Sequence, residues 1–550
     1  MGNPHYVSIR TRPTPRWPPF CTRIVNGFPT TLRRTLAGLA TLGLLACWLG
    51  RFGPVVEAPL GARQAPPDRT AQIAEGEAAA RVQCTTCHKF APADVLPRSF
   101  WRDEVARMFL IKNLQPEPTG PPGTAARMVL LPPDWQAIVR YYEATAPDRL
   151  PAPAKWPAPD QKVVFRKRIV GPLEPGTAPA VSNIQLVDLD HDGRLEMVFT
   201  DMRSGAVYKA KPFDEQPTFV ELARLSNPSH ITPIDLDGDG VLDFLVGDLG
   251  KFLPTDQRHG AVVWLRGRKD GTFGPLSLEG WPRVSDVEGA DFDGDGRLDL
   301  AVAAFGWRRS GDFTILKNNS TDYDQPSFVP FQIDKRTGSI HAVPVDINGD
   351  KRPDVITLFA QEHETVVAFL NQGGMRFDPQ TIYEAPHPNW GSSGIQVVDL
   401  DKDGDLDVLM THGDTFDDDI LKAYHGIQWL ENKGTYPFTE HTIATLAGVQ
   451  RAQAVDLDGD GDLDIVACAL VATHNTETPL MPAVVWLEQT KPGVFERHVI
   501  EVGQPTHASL DVGDYDHDGD IDIVVGNFSM GGPVQGSVEI FENQRTRKTP

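Results

Sequence analysis

Beyond residue 162 the chain alternates between short β-branched or aromatic runs and polar, Gly-rich turns. Runs such as Leu242–Val246, Leu298–Val302, Leu463–Val466 and Ile521–Val525 have the length and composition of strands. A second run follows in each unit, as in Val262–Leu265, Val366–Leu370, Ile427–Leu430, Val484–Leu487 and Val538–Phe541. A third has the form F-x-x-x-x-I: Phe377 to Ile382, Phe438 to Ile443 and Phe495 to Ile500. A fourth leads into the next unit. Four strands per unit of about 50 residues is the pattern of a propeller blade. The fold expected is mainly β, a seven-bladed β-propeller.

Each unit contains an acidic nine-residue pattern, D-x-D-x-D-G-x-x-D. The first copy is Asp188, Asp190, Asp192, Gly193, Glu196. The second is Asp235, Asp237, Asp239, Gly240, Asp243, and the third Asp291, Asp293, Asp295, Gly296, Asp299. The fourth is Asp346, Asn348, Asp350, Lys351, Asp354. The fifth is Asp399, Asp401, Asp403, Gly404, Asp407, and the sixth Asp456, Asp458, Asp460, Gly461, Asp464. The seventh is Asp514, Asp516, Asp518, Gly519, Asp522. Successive copies start 47 to 58 residues apart. Oxygens at positions 1, 3 and 5 wrap one side of a hard cation, and a carboxylate at position 9 closes the other. Gly at position 6 permits the sharp turn between them. The pattern therefore predicts about six to seven bound Ca²⁺. Position 2 is always apolar and position 8 is Leu, Ile or Pro, which anchors each loop to a core. In the fourth copy Lys351 brings a positive charge and a Cβ to the turn, so tight calcium binding is not expected there. Glu196 is a milder departure.

The seventh unit stops after Val538–Phe541 and lacks its F-x-x-x-x-I strand. A strand of that kind stands before the first loop, at Val164–Val170. The N-terminal strand is thus expected to complete the last blade and close the ring.

These repeats resemble the FG-GAP/VCBS family, the calcium-loop propellers that include integrin α-subunit heads. The resemblance covers residues 162–543, about 382 of 550. It implies that the calcium is mainly structural and that the aspartates named above are its ligands.

Ahead of the propeller the pattern changes. An Ala-rich stretch, Ala71–Val82, and a stretch at Pro133–Thr145 both have helical spacing, the latter with Trp135, Ile138, Val139 and Tyr142 on one face. The first runs into Cys84-Thr85-Thr86-Cys87-His88. In CxxCH, two thiols one helical turn apart can add to the two vinyl groups of a haem, and the adjacent His reaches the iron. A thioredoxin-like CxxC would sit at a strand-to-helix junction, and a zinc site would need further ligands. Residues 60–155 hold no other Cys or His. One covalent haem c is therefore expected on Cys84 and Cys87 with His88 as axial ligand. Within this unit elimination leaves two candidates for the sixth ligand, Met128 and Met108, the latter on the helical face Trp101-x-x-x-Val105-x-x-Met108 where a Met is more often core than ligand.

The unit resembles class I cytochrome c over about residues 70–148. Gly76 matches the glycine of that family's N-terminal helix, while Ala80 replaces its aromatic, which weakens the usual crossing with the C-terminal helix. Met128 lies just before the last helix, where the family often places its ligand. Haem attachment of this kind implies the periplasmic side of a bacterial membrane. Five segments result: 1–56 as signal or anchor, 60–150 as an all-α cytochrome c-like domain, 151–161 as a Pro-rich linker, 162–543 as the propeller, and 544–550 as a tail. Closure through Val164–Val170 would tether the haem unit to the seventh blade.

The first 56 residues carry seven Arg and no acid, with an apolar run from Leu36 to Gly50. That is the pattern of an export signal, too short for a comfortable membrane span. Leu44-Leu45-Ala46-Cys47 resembles a lipoprotein cleavage box, so Cys47 is a candidate for lipidation. The expected location is the periplasm, envelope or surface of a bacterium. Membrane association through the N-terminal segment stays open. The net charge of -22 argues against general nucleic-acid binding, and much of the acid lies in clusters that bound cations would offset.

Five residues before each first Asp stand Asn183, His230, Asp286, His341, Gly394, Arg451 and Ser509, with His507 close by. These should line the central channel, and His230, Asp286, His341, Arg451 and His507 are its chemical candidates. Three functions follow. The first is an exported electron-transfer protein whose propeller docks a redox partner or a ligand. The second is a haem-coupled oxidoreductase acting on a small substrate in the channel, although neither a cofactor motif nor a base–nucleophile pair is evident. The third is a surface adhesion or ligand-binding protein.

Overall fold

The computed structural model describes residues 68–116, 124–159, 162–171, 178–416, 418–471, 481–503, 505–530 and 536–545. The leader, including Cys47, lies outside them. No helix among the described residues is long and apolar enough to cross a membrane.

The described part begins with four helices, α1 (Arg69–Cys84), α2 (Arg98–Lys112), α3 (Thr124–Met128) and α4 (Pro133–Thr145). Asp68 caps α1 by accepting the Thr70 N–H at 3.0 Å. Pro133 opens α4, where its missing N–H costs nothing. Trp135, Ile138, Val139 and Tyr142 are all buried, as the helical spacing requires. Gly76 sits directly over α4, and a Cβ there would fall 2.3 Å from the Ala137 carbonyl oxygen. Ala80 is fully buried behind it, so the two helices cross closely without an aromatic. Trp101 of α2 stacks on Tyr142 at 3.6 Å, and the Tyr142 hydroxyl donates to the Ala91 carbonyl at 2.9 Å.

Seven four-stranded antiparallel sheets form the rest; in six the chain runs outward strand by strand, and in the seventh the outermost strand comes from the N-terminal end of the ring. Their innermost strands are Val181–Val187, Pro228–Ile234, Val284–Ala290, Ser339–Val345, Ser392–Val398, Val449–Val455 and His507–Gly513. The second strands are buried along their whole length, because neighbouring blades cover both faces. Apolar clusters fill the gaps between blades, such as Val198, Ile231, Phe244 and Val246 between the first and second. The apolar residue at position 2 of the acidic loops points into this core: Leu236, Phe292, Leu400, Leu457 and Tyr515 are nearly inaccessible.

Strand β1 (Phe165–Val170) is the outer strand of the seventh sheet, paired antiparallel from Phe165↔Asn543 to Val170↔Val538. Lys167 on this strand reaches Glu501 at 2.5 Å and Glu539 at 2.6 Å, adding charge to the closure. The helical unit, however, does not rest on the seventh blade. It docks over the fourth and fifth: Lys89 donates to the Ala385 carbonyl at 2.9 Å and pairs with Glu384 at 3.2 Å, and Ile420 packs against the helical core. The linker makes the difference. Its Trp156 packs between the fifth and sixth blades, donating to the Thr445 carbonyl at 3.0 Å, and Lys162 pairs with Glu488 of the sixth. A Pro-rich segment is extended enough to carry the chain across that distance.

The topology also separates two faces. The acidic loops join each innermost strand to the second, at one end of the ring. Residues 360–364 and 385–391 join later strands of the fourth blade and its connection to the fifth, at the other. The helical unit therefore sits opposite the loops.

Candidate functional site

The end of α1 and the propeller's fourth blade enclose a cleft of about 530 Å³. One wall is Thr85, Thr86, Cys87, His88, Lys89 and Phe90; the other is Glu362, His363, Glu384, Ala385, His387 and Pro388. Cys84 and Cys87 are free thiols. Burial pushes the Cys84 thiol up to about 11, with Lys112 opposing it. The His88 Nδ1 lies 2.6 Å from the Lys89 carbonyl oxygen. A carbonyl only accepts, so Nδ1 carries a proton, and in the neutral ring Nε2 is the nitrogen with the lone pair. That is the tautomer of a metal-ligating histidine held by a backbone carbonyl. Cys87 and His88 line the cleft, while Cys84, one turn back, packs against the helical core; two free thiols at this spacing followed by an imidazole are a donor set that fits a covalently attached haem.

Neither Met128 nor Met108 lines this cleft. Met128 is 70% exposed at the end of α3, and Met108 packs against the helical core. The cleft instead presents two propeller histidines that sequence reasoning passed over. His363 stands on the Ala360–Glu364 turn, where Gln361 and Glu364 both have positive φ. Its Nε2 lies 3.7 Å from Glu362, which accepts a hydrogen bond from Thr337 at 3.0 Å. Burial lowers the His363 pKa, with Glu362 opposing it and Arg336 adding to the lowering. His363 and His88 line the same cleft. His387 is buried, with Trp390 and Tyr424 against its ring and no hydrogen-bond partner at Nδ1. Burial brings it down to about 4. The cue was the lack of a second histidine in the helical unit, but nothing in the linear sequence ties residues 88 and 363 together.

The seven acidic loops share one geometry. In every copy one oxygen of the position 1 aspartate accepts the N–H of position 6, at 2.8 to 3.1 Å. The other oxygen of Asp188, Asp399 and Asp456 is buried without a partner. In the first two loops, Asp188, Asp190 and Glu196, and Asp235, Asp237 and Asp239, bring carboxylate oxygens within 4.8 Å of one another. Orphaned buried oxygens beside clustered carboxylates fit a hard cation. Position 4 takes positive φ as well: Gly238, Gly294, Gly349 and Gly459, but also His191, Lys402 and His517. The four glycines made that legible in the sequence. Lys351 adopts the same left-handed conformation as the glycines it replaces, with φ 69°, and keeps the bond to Asp346.

Position 9 does more than face an ion. Asp243, Asp299, Asp354, Asp407, Asp464 and Asp522 are at most 1% exposed. One oxygen accepts the N–H of position 2 and the other the N–H of a residue ending the third strand, such as Gly267 at 2.7 Å or Asn432 at 2.8 Å. Each such carboxylate locks loop to blade. Burial raises five of them to about 6 and Asp522 to about 8. In the first copy Glu196 takes one backbone bond, and Lys211 lies 3.5 Å from its other oxygen.

At the channel the structure brings together His230, Asp286, His341 and Arg451, from the second, third, fourth and sixth blades. The His230 Nδ1 is 2.7 Å from Asp286 and the His341 Nδ1 3.3 Å from its other oxygen. Arg451 donates to the His341 Nε2 at 2.8 Å, so His341 is neutral with its proton toward Asp286. Burial and Arg451 hold His341 down at about 4. Asp286 is fully buried, yet His230 and His341 outweigh that and keep it far below the usual carboxylate range. Glu288 beside it is pushed well up by burial and by Asp286. The guanidinium on His341 opposes a metal at this cluster, which ties four blades together across the axis. His507 is elsewhere. Its ring bonds Asn527 of the seventh blade at 2.8 Å and Glu501 of the sixth at 3.0 Å, bridging the two blades.

Residues 188–246, 291–357 and 346–410 match the family described as FG-GAP-like repeat. The chain is thus a seven-bladed propeller with FG-GAP-like repeats over these residues. No curated protein matches it. Among solved structures it is similar to virginiamycin B lyase from Staphylococcus aureus, at 11% identity and TM-score 0.43, over 69% of this chain and 99% of that one. It is also similar to the V. cholerae biofilm matrix protein Bap1, at 11% identity and TM-score 0.39, over 70% of this chain and 92% of that one. Nothing about function rests on likenesses at these scores.

Proposed function

We propose that the chain is an exported c-type cytochrome of the bacterial envelope, with a calcium-stabilised propeller as its docking platform. One observation carries the haem reading: Cys87 and His88 line a single cleft one helical turn after Cys84, with the His88 Nδ1 bonded to the Lys89 carbonyl. Bound there, a haem would supply one-electron transfer. Cys84 and Cys87 would hold it through thioether bonds and His88 Nε2 would ligate the iron. Lys89 would fix the imidazole through its carbonyl and pin the helical unit to the fourth blade through its side chain. The acidic loops, on the opposite face, would hold calcium through positions 1, 3 and 5. Their supporting observation is the set of buried, partnerless oxygens on Asp188, Asp399 and Asp456.

A second reading, adhesion or ligand binding without redox chemistry, is favoured by the FG-GAP-like repeats. Visible spectroscopy of protein co-expressed with a cytochrome c maturation system separates the two. The haem reading expects a Soret band that is lost in Cys84→Ala/Cys87→Ala. A colourless protein leaves the platform reading alone.

A further inference from the structure

The cleft is a slot between two walls, and only one of them belongs to the helical unit. A flat macrocycle in a slot meets one axial ligand from each wall. The wall facing His88 carries no methionine but holds His363 and His387. His387 is held by ring contacts to Trp390 and Tyr424. His363 stands on a tight turn, is about one quarter exposed, and lines the same cleft as His88. Glu362, anchored by Thr337, lies 3.7 Å from its Nε2, a charge contact that would have to tighten to become the carboxylate partner that orients a ligating histidine.

Building on the haem reading, we propose that His363 of the propeller supplies the sixth ligand to the haem iron, so that the cofactor joins the two parts of the molecule. Glu362 is then a positioning residue. The docking of the helical unit on the fourth blade becomes part of the haem site, and the ligand pair becomes bis-histidine rather than histidine–methionine.

The test is ferric-state absorption and electron paramagnetic resonance of the full-length holoprotein and its variants. The expected wild-type spectrum is low-spin, without the methionine-to-iron charge-transfer band. His363→Ala turns high-spin and returns to low-spin on adding imidazole; His363→Met gains the charge-transfer band; Met128→Ala and Met108→Ala change nothing. Glu362→Gln stays low-spin but shifts the midpoint potential. A low-spin spectrum unchanged in His363→Ala overturns the assignment, as does conversion by His387→Ala or by either methionine variant instead. A chain without covalent haem fails the cytochrome reading itself, a separate outcome visible before any variant is made.

Discussion

At the scale of single residues, the acidic loops divide labour in a way the repeat pattern alone does not show. In copies two to seven the position 9 carboxylate accepts two buried backbone N–H groups, whereas in the second copy positions 1, 3 and 5 bring their oxygens within 4.8 Å of one another. Asp407→Asn should therefore destabilise the propeller even in chelator, because an amide cannot accept both the Leu400 and Asn432 N–H as well as a carboxylate does. A buried donor left unsatisfied costs about 1–3 kcal/mol. Asp401→Asn should lower the melting temperature only when calcium is present. Equal effects of the two variants in chelator would refute the division. Lys351 is the one position 6 residue with a side chain in the left-handed region, a conformation costing about 1–3 kcal/mol. Lys351→Gly should raise the melting temperature, and a fall would show that the side chain contributes contacts worth more than the strain.

Glu501 gives a pH signature. Burial would raise its pKa, but His507 and Lys167 outweigh burial and bring it to about 2. A depressed folded value means stability present above the unfolded value of about 4.3 and lost as pH falls toward 2. The melting-temperature gap between wild type and Glu501→Gln should be full at pH 7 and close below pH 3. A gap independent of pH would contradict the ion pairing.

At the scale of elements, much was legible. Pro133 and Pro147 bound α4 at the expected residues, and the strand missing after Phe541 was visible in Val164–Val170 before any coordinates. The crossing at Gly76 was not, since Ala80 in place of an aromatic argued for a weaker contact; a bare glycine backbone lets α4 approach regardless. The His507 environment was also hidden, because position along a strand sets height in the channel and not which neighbours claim the ring. Met128 satisfied every local rule for a ligand, yet the short helix that carries it leaves it in solvent. Closure through β1 predicts that Val170→Asp, burying a charge in the outer pair of the seventh sheet, should lower the melting temperature sharply. It should also promote association through the bared edge of Val538–Asn543. A monomer of unchanged stability would mean that the strand is dispensable.

At the scale of the whole molecule, the linker governs the arrangement. It leaves the helical unit at the fourth and fifth blades, passes Trp156 between the fifth and sixth, and enters the ring at the seventh. Two faces result, acidic loops on one and the CxxCH cleft on the other, with the network of His230, Asp286, His341 and Arg451 filling the axis. On the proposed reading, calcium on one side would leave the cleft on the other undisturbed. Everything on the second face turns on whether Cys84 and Cys87 are bonded to a haem. The intact mass of the full chain, matured with the cytochrome c system and then denatured in acid, answers that directly. The account predicts a chain heavier by one haem, with the added mass on the peptide containing Cys84 and Cys87. A chain at its bare polypeptide mass, or a haem released by acid, would contradict it.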